Sequence, residues 1–323
     1  MGGNALKNTH TRRYAAAEYY ALYEGLAQRI SSMLCANSML ALIPSYRAKE
    51  TFGDMDLLYS GEPLSVNSIK QAFSPNEVIK NGDVISFDYH ELQIDLINTK
   101  TPEYSLAYFS YNDLGNLVGK LARRHGLKHG HTGLYLPVRS GTHFLKEILV
   151  TTDHDETLEF LDLDPAIFHA GFDNLTDIFN YVASSKYFDP SSYALVNVSS
   201  KGRVRDKKRH TYQEFLKFCG TCNTKVLDMG SDKAQHLPGI FKRWPHVREE
   251  FQAVTSNLLL RESANSKLNG NMVAELTGLT GTKLGEFMRQ IRTHDILGDN
   301  CILVHLTHAT IQQQVKDLYA QNF

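Results

Sequence analysis

Gly53-Asp54-Met55-Asp56-Leu57-Leu58 places two carboxylates, two residues apart, at the start of an apolar run. On a β-strand, residues i and i+2 point to the same face, so Asp54 and Asp56 are expected side by side. Two like charges this close raise each other's pKa, and the pair is costly unless a cation neutralises it. Because hard divalent cations prefer oxygen ligands, the pattern favours a magnesium site over the solvent-facing edge of a sheet.

A third acid lies further along, in Leu92-Gln93-Ile94-Asp95-Leu96-Ile97. Leu92, Ile94 and Leu96 alternate, which puts them on one face of a strand and Asp95 on the other. A neighbouring strand that set Asp95 beside the first pair would complete a cage of three carboxylates for two metal ions. Such a cage can activate a hydroxyl and stabilise the in-line transition state of phosphoryl transfer.

Around these strands, periodicity and turn residues predict a mixed α/β region to about residue 150, followed by a mostly helical region. The elements expected in the first region are a long amphipathic helix over 9–36, a hairpin of strands 39–43 and 55–59, a Ser65-capped helix to 73, two strands joined by Asn81-Gly82, a strand over 91–98, a helix from Asn112 or Asp113 to Gly126, and strands 134–138 and 144–150. Later helices are expected over 175–185, 210–219, 246–263, 270–277, 282–294 and 309–320, with a basic loop at 201–209.

Composition narrows the class of protein. The chain has 323 residues, 42% of them hydrophobic, which suits two or three domains with their own cores. It contains no apolar run long enough for a membrane span, and its N-terminus lacks a secretory signal. Four cysteines in so long a chain indicate reduced thiols, and hence an intracellular, cytoplasmic protein.

The formal net charge of −1 conceals a strong segregation of charge along the chain. Residues 201–209 contain six basic side chains and one acid, and 113–139 contain five basic side chains and one acid. Residues 153–164 hold six acids and no base. Two basic blocks favour a phosphate-rich partner, so nucleic acid is the expected one. The predicted nucleic-acid-binding residues are Arg123, Arg124, Lys128, Arg203, Arg205, Lys207, Lys208, Arg209 and, near the C-terminus, Lys283.

Over roughly residues 40–190, these motifs occur in an order that resembles the DNA polymerase beta superfamily of nucleotidyltransferases, and most closely its family X polymerases. Tyr46-Arg-Ala-Lys-Glu-Thr-Phe-Gly-Asp-Met-Asp-Leu-Leu58 resembles the glycine-arginine loop and metal-binding strand of that family. Asp95 falls at the position of the third carboxylate, the base for the primer 3′-hydroxyl. The resemblance implies that Arg47, with Ser45, Lys49 and Gly53, holds the triphosphate of a bound nucleotide.

Tyr108-Phe109-Ser110-Tyr111-Asn112-Asp113 resembles the family's run at the sugar pocket. By this resemblance Tyr108 and Phe109 line the sugar, while Asp113 and Asn116 face the base. The chain departs from the family where Ile43-Pro44-Ser45 replaces a Gly-Ser pair and where Tyr111 replaces a glycine, so sugar selectivity does not carry over. Gly2-Gly3-Asn4 lies too far before the aspartates to be the family's glycine motif, and a flexible terminus or a phosphate contact is expected there.

The C-terminal stretch from Leu268 to Ile291 resembles, more weakly, the helix–glycine turn–helix of CCA-adding tRNA nucleotidyltransferases. There Gly281-Thr282 would open a helix whose first amides, with Lys283, could clamp a phosphate. An ordinary helix-turn-helix packing motif is the alternative.

Together these resemblances imply an α+β fold: a nucleotidyltransferase palm with a mixed sheet flanked by helices, a thumb-like region and a mostly helical C-terminal domain. The expected domains are 1–125, which includes the N-terminal helix, then 126–200 and 201–323. The expected activity is Mg²⁺-dependent transfer of a nucleoside monophosphate from an NTP or dNTP to a nucleic-acid 3′-hydroxyl. Asp54, Asp56 and Asp95 would hold two Mg²⁺ ions, for which Mn²⁺ can substitute. The alternatives are a tRNA- or RNA-tailing enzyme, a nucleotidyltransferase that modifies a small molecule or a protein, and an inactive nucleic-acid-binding module.

Overall fold

The structure, a computed structural model, describes residues 5–223 and 225–322. The expectation for Gly2-Gly3-Asn4 falls outside the described residues. Within the described part of the chain, no helix has both the length and the apolar character needed to cross a membrane.

The strands form one central sheet and two smaller ones. Their bounds are β1 (Tyr14–Ala15), β2 (Leu40–Leu42), β3 (Thr51–Phe52), β4 (Asp54–Ser60), β5 (Val78–Asn81), β6 (Val84–Tyr89), β7 (Leu92–Thr99), β8 (Lys128–Gly130), β9 (Gly133–Ser140) and β10 (His143–Thr151). The central sheet has the order β2-β4-β7-β6-β5, and its β4 and β7 run parallel while its other pairs are antiparallel. The smaller sheets are β10-β9-β8 and β1-β3.

Helices make up most of the rest of the chain. Their bounds are α1 (Ala16–Ser31), α2 (Val66–Phe73), α3 (Pro102–Phe109), α4 (Leu114–Arg124), α5 (His154–Phe160), α6 (Pro165–Ala170), α7 (Leu175–Ser184), α8 (Ser200–Asp206), α9 (His210–Thr221), α10 (Leu237–Arg243), α11 (Pro245–Lys267), α12 (Gly270–Thr277), α13 (Gly281–Thr293), α14 (Asn300–Leu303) and α15 (His308–Asn322).

One face of the central sheet is covered by α1 and α2. Leu26 of α1 and Ile69 of α2 are buried in the same apolar cluster as Leu57, Ile94 and further residues of β4, β6 and β7. β4 and β7 therefore lie at the centre of the sheet with apolar residues on the α1 side, which leaves their alternate residues for the other face. The expectation of an α+β fold, with a mixed sheet flanked by helices, is confirmed.

Most of the predicted elements are present. The hairpin of β2 and β4 forms with Leu40 opposite Tyr59, and Asn81-Gly82 joins β5 to β6. The side chain of Ser65 caps α2 by accepting a hydrogen bond from the amide of Ser68 at 3.0 Å. The helices predicted between residues 175 and 320 are all found, with bounds that differ by a few residues.

Two predicted elements are wrong in form. The helix expected over 9–36 spans only 16–31, because Tyr14 and Ala15 pair with β3 and the Arg12 amide donates to the carbonyl of Glu91. The expected basic loop at 201–209 is largely helix α8, whose first turn is capped by the side chain of Ser199. Long-range strand pairing in the first case and a side-chain cap in the second override the local pattern.

Contacts divide the chain into two compact units. The first comprises 1–137 and 147–243, and the second comprises 138–146 and 244–323. The first contains the central sheet, while the second has its own apolar cluster, which includes Val273, Phe287 and Val315. The division into domains at residues 125 and 200 stays a prediction.

Candidate active site

The three aspartates singled out in the sequence meet on two adjacent strands. β4 and β7 pair in parallel with Asp56 directly beside Asp95, and Asp54 lies two residues before Asp56 on the same face. Each of the three offers a carboxylate oxygen, and these oxygens lie within 4.8 Å of one another. Asp95 is almost fully buried, at 3% exposure, while Asp54 and Asp56 are partly open to a cleft.

The pKa values of Asp56 and Asp95 reflect this concentration of negative charge, which Lys49 opposes only in part. The pKa of Asp56 is raised by burial first and then by repulsion from Asp54 and Asp95. The pKa of Asp95 is also raised, mainly by burial, although hydrogen bonds from Ser86 and Gln93 oppose the shift. Gln93 Nε2 donates to both oxygens of Asp95 at 3.0 Å, which fixes the orientation of that carboxylate.

One atom of the cluster points to a missing positive partner. Oδ1 of Asp56 is buried and accepts no hydrogen bond. A buried carboxylate oxygen without a partner is costly, so a ligand with positive charge is expected to stabilise it. A set of three carboxylates is the donor chemistry of a hard divalent cation such as Mg²⁺. The residues present therefore fit the predicted metal, whereas their role as ligands stays a prediction.

Asp54 and Asp56 line a cleft of about 1100 Å³, and Asp95 is buried behind them on β7. Five cationic side chains line it: Arg13, Lys49, Arg205, Lys208 and Arg209. Tyr108 and Phe109 of α3 also line it, with their rings edge to face at 5.2 Å. The cleft thus combines an acidic end, several cations and an aromatic wall, which together suit a polyphosphate attached to an aromatic base.

The loop before β4 does not place Arg47 where the family resemblance implies. The guanidinium of Arg47 bonds the carboxylate of Asp173 and, at 2.9 Å, the carbonyl of Ala170, and Arg47 is not among the residues that line the cleft. The amides of Arg47 and Ala48 donate to the carbonyls of Phe172 and Asp173. Within this first unit, therefore, the structure does not bring Arg47 to the aspartates, whereas Ser45 and Lys49 do line the cleft.

Lys49 and Gly53 lie beside the carboxylates. The ammonium of Lys49 is 4.4 Å from the centre of the Phe52 ring, and its pKa is lowered by burial despite attraction from Asp54 and Asp56. A side chain on Gly53 would place its Cβ 2.9 Å from Nη1 of Arg13. The glycine therefore lets the Arg13 guanidinium lie against the backbone at the start of β4.

Asp113 and Asn116, which were expected to face the base, are bonded to arginines of the basic segment 201–209. Asp113 forms an ion pair with Arg209, and Oδ1 of Asn116 accepts from Arg205 Nη2 at 2.6 Å. Arg205 and Arg209 were expected to grip nucleic acid from a loop, but both line the cleft. Burial of Asp206, which also bonds Arg205 at 2.7 Å, draws α8 into this position.

Tyr111, at the position where the family has glycine, keeps the backbone conformation that glycine favours. Its φ is +58° and that of Asn112 is +62°, in the left-handed region that few side chains adopt. The turn is held by the Tyr111 amide, which donates to the carbonyl of Pro44 at 2.8 Å, and by Ser45 Oγ, which donates to Asn112 Oδ1 at 3.0 Å. The Tyr111 ring packs edge to face on Phe172.

The remaining predicted nucleic-acid-binding residues are scattered. Arg124 donates to the carbonyls of Tyr187 and Leu227, and Arg203 donates to that of Leu195. Lys128 pairs with Glu147 at 2.8 Å. Arg123, Lys207 and Lys208 are exposed, and Lys283 is exposed in the second unit. The structure thus brings only part of the predicted set to one place, and nucleic-acid binding by these residues stays a prediction.

Tyr19 and Arg13 are among the cleft residues that the sequence does not predict. Tyr19 of α1 stacks on Phe52 with ring centres 3.9 Å apart, and its pKa is raised by burial and by the nearby charges of Asp56 and Asp54. Arg13 is held by hydrogen bonds to the carbonyl and hydroxyl of Thr51. No local pattern marks either residue, because both reach the aspartates only through the packing of α1 and the pairing of β1 with β3.

Comparison with known proteins adds little to this geometry. No protein-family model matches the chain, and no curated protein is significantly similar to it. Among solved structures, the chain is similar to polymerase beta of Leishmania infantum in a ternary gap complex, with 14% identity and a TM-score of 0.33. The match covers 40% of this chain and 53% of that polymerase, so the chain spans about half of its length.

Proposed function

We propose that the chain is a Mg²⁺-dependent nucleotidyltransferase that transfers a nucleoside monophosphate from an NTP or dNTP to the 3′-hydroxyl of a nucleic acid. The observation that supports this proposal most strongly is the cluster of Asp54, Asp56 and Asp95, in which a buried oxygen of Asp56 lacks a partner. Carboxylates beside a cleft that is lined by cations suit a substrate that carries both phosphates and a divalent ion.

In this proposal, each group of the cleft has a separate task. Asp54, Asp56 and Asp95 hold Mg²⁺, which when bound supplies positive charge to the reacting phosphate. Lys49 and Arg13, which lie beside the aspartates, neutralise the triphosphate. The wall formed by Tyr108 and Phe109 packs against the sugar and excludes water from it.

The chemical step is an in-line displacement. The oxygen of the acceptor hydroxyl forms a bond to the α-phosphorus, and the bond from that phosphorus to the bridging oxygen of the β-phosphate breaks, which releases pyrophosphate. The hydroxyl proton passes to a carboxylate, for which Asp95 is the proposed base. The hydrogen bonds from Gln93 to both oxygens of Asp95 hold the proposed base in a fixed orientation.

The acceptor is tested by incubating the protein with Mg²⁺ and labelled NTPs or dNTPs on DNA primer-templates, DNA and RNA single strands, and tRNA. We expect labelled product with at least one acceptor and none with Asp56→Asn, which removes a proposed ligand while keeping the shape of the side chain. Asp83→Asn, a change at an exposed acid in the turn between β5 and β6, is the matched control and should retain the wild-type rate.

The pattern of products separates the alternatives. A ladder that follows template sequence identifies a polymerase, whereas a few residues added only to tRNA or RNA identify a tailing enzyme. Label that appears on the protein or on a small molecule indicates a different acceptor class. Binding of nucleic acid without transfer to any acceptor contradicts the proposed enzyme and favours a binding module.

A further inference from the structure

A second cavity, of about 250 Å³, lies in the first unit beside α4, and we name it the α4 pocket. Its lining residues are Lys120, Arg123, Arg124, Ser192, Asn197 and Lys233. The first three occur at i, i+3 and i+4 on α4 and so share one face of that helix. Four cations and two neutral polar residues line the pocket, and two of the cations have acids beside them: Lys120 lies 3.8 Å from Asp206 and Arg124 lies 4.0 Å from Asp189.

Lys120 is the unusual member of this group. It is only 5% exposed, and its ammonium faces one carboxylate, that of Asp206, at 3.8 Å. That distance exceeds a hydrogen bond, so an ammonium with three donors is buried without a well-formed acceptor. Burial and then repulsion from Arg123 lower its pKa to about 8. Asp206 also bonds Arg205 at 2.7 Å, so one carboxylate serves two cations, and a further anion would complete the pairing of Lys120.

The rest of the wall is held in place before any ligand arrives. The Arg124 guanidinium donates to the carbonyls of Tyr187 and Leu227, both at 2.7 Å, and Lys233 Nζ donates to the Arg124 carbonyl at 3.1 Å. Arg123 is exposed at the rim. Arg123 repels the ammonium of Lys120, and a bound anion would replace that repulsion with attraction.

We propose that the α4 pocket binds a single phosphate group, separately from the cleft that holds the aspartates. Its volume is below the range that encloses a drug-sized molecule, so it suits one phosphate rather than a whole nucleotide. The phosphate can belong to a nucleic-acid backbone or be free inorganic phosphate or pyrophosphate. The proposal does not depend on nucleotidyl transfer, because its test reads binding alone.

The test measures the affinity of the full chain for inorganic phosphate, for pyrophosphate and for a short oligonucleotide without terminal phosphates, by titration calorimetry at constant ionic strength. The test variant carries Arg123→Gln and Lys233→Gln, both at exposed positions, so that folding is not at stake. Lys80→Gln with Lys100→Gln removes the same charge from exposed positions elsewhere and is the matched control. Lys120→Gln, checked for its folded circular dichroism spectrum, tests the buried ammonium.

We expect a phosphate group from at least one source to bind to the wild type and the control, and to bind roughly tenfold more weakly to the Arg123/Lys233 variant and to Lys120→Gln. If the oligonucleotide competes with inorganic phosphate, the natural source is a nucleic-acid backbone. If inorganic phosphate or pyrophosphate binds without such competition, the source is the free ion. Equal affinities in the wild type, both variants and the control, for all three probes, would overturn the proposal.

Discussion

At the scale of single residues, Oδ1 of Asp56 is a buried carboxylate oxygen that accepts no hydrogen bond, and this favours a site that binds a positively charged ligand. Three carboxylates with oxygens within 4.8 Å of one another destabilise the fold unless a cation is present. The cluster is therefore expected to lower the free energy of unfolding without a divalent ion and to raise it when one is bound.

Without divalent ions, Asp56→Asn should raise the free energy of unfolding by about 1 kcal/mol, because it removes one of three repelling charges. With Mg²⁺ at ten times its dissociation constant, the wild type should gain about 1.4 kcal/mol and Asp56→Asn much less. Thermal melting with and without Mg²⁺ measures both effects. A wild-type melting temperature that changes with neither Mg²⁺ nor Mn²⁺ would contradict the metal site.

Two histidines give a second prediction at this scale. His129 and His154 are buried with ring centres 5.8 Å apart, and each has a ring nitrogen without a hydrogen bond. Burial lowers the pKa of His129 to about 4 and that of His154 to about 3. Both stay neutral in the fold at pH values where the unfolded chain, with a pKa near 6.5, already takes up protons.

The unfolded state therefore binds more protons below pH 6.5, and stability must fall as the solution is acidified towards the folded-state values. Between pH 7 and pH 5 each histidine should cost about 2 kcal/mol of unfolding free energy. Urea denaturation at the two pH values measures this loss, to which buried His125, whose pKa is also lowered to about 4, adds a similar amount. His154→Phe should therefore reduce the total loss by about a third. An identical pH dependence in His154→Phe and the wild type would show that His154 is not the titrating group.

At the scale of the element, α8 differs most from its prediction as a loop. Its basic sequence predicts a loop that binds nucleic acid, but Arg205 of α8 and Arg209 just after it turn inward to Asn116 and Asp113. The cost of leaving Asp113, which is buried, without its partner should exceed that of losing an ordinary surface charge.

Arg209→Gln should therefore lower the unfolding free energy by about 2 kcal/mol and raise the KM for the nucleotide, because Arg209 lines the cleft. Lys201→Gln, at an exposed position in α8, should change stability by less than about 0.5 kcal/mol. Chemical denaturation of the two variants in parallel gives the comparison. Equal effects would mean that Arg209 is a surface charge like Lys201.

Regular alternation and turn residues made β4, β6 and β7 predictable, and with them the meeting of the three aspartates. Short helices were missed although their caps are visible in the sequence. Asp153 and Asp164 belong to the acidic block 153–164, and their side chains accept hydrogen bonds from the first amides of α5 and α6. Arg13 and Tyr19 could not be predicted as part of the cleft, since only tertiary packing brings them there.

For the whole molecule, a net charge of −1 hides the uneven distribution of its cations. Several basic side chains are used inside the fold, as in the pairs Arg209–Asp113 and Lys120–Asp206. Others stay exposed, among them Arg123, Lys207 and Lys208. Nucleic-acid binding is therefore expected to rest on a few exposed cations rather than on the whole basic sequence.

If about four phosphates are neutralised, the logarithm of the affinity for single strands should fall with the logarithm of salt concentration with a slope of about −3. Fluorescence anisotropy across a salt series measures the slope. Lys207→Gln with Lys208→Gln should make it shallower by about 1.4, and the control Lys80→Gln with Lys100→Gln should leave it unchanged. Affinity that is independent of salt would contradict a phosphate-based interaction.

The proposed nucleotidyl transfer depends on a divalent-metal site formed by Asp54, Asp56 and Asp95. The most direct measurement is the initial rate of labelled nucleotide incorporation against Mg²⁺ concentration, on the best acceptor, for the wild type, Asp56→Asn and Asp83→Asn. We predict a saturable dependence on Mg²⁺ for the wild type and Asp83→Asn, and a rate at least about 1000-fold lower for Asp56→Asn. A wild-type rate in Asp56→Asn, or full activity with divalent ions chelated, would contradict metal-dependent transfer at this site.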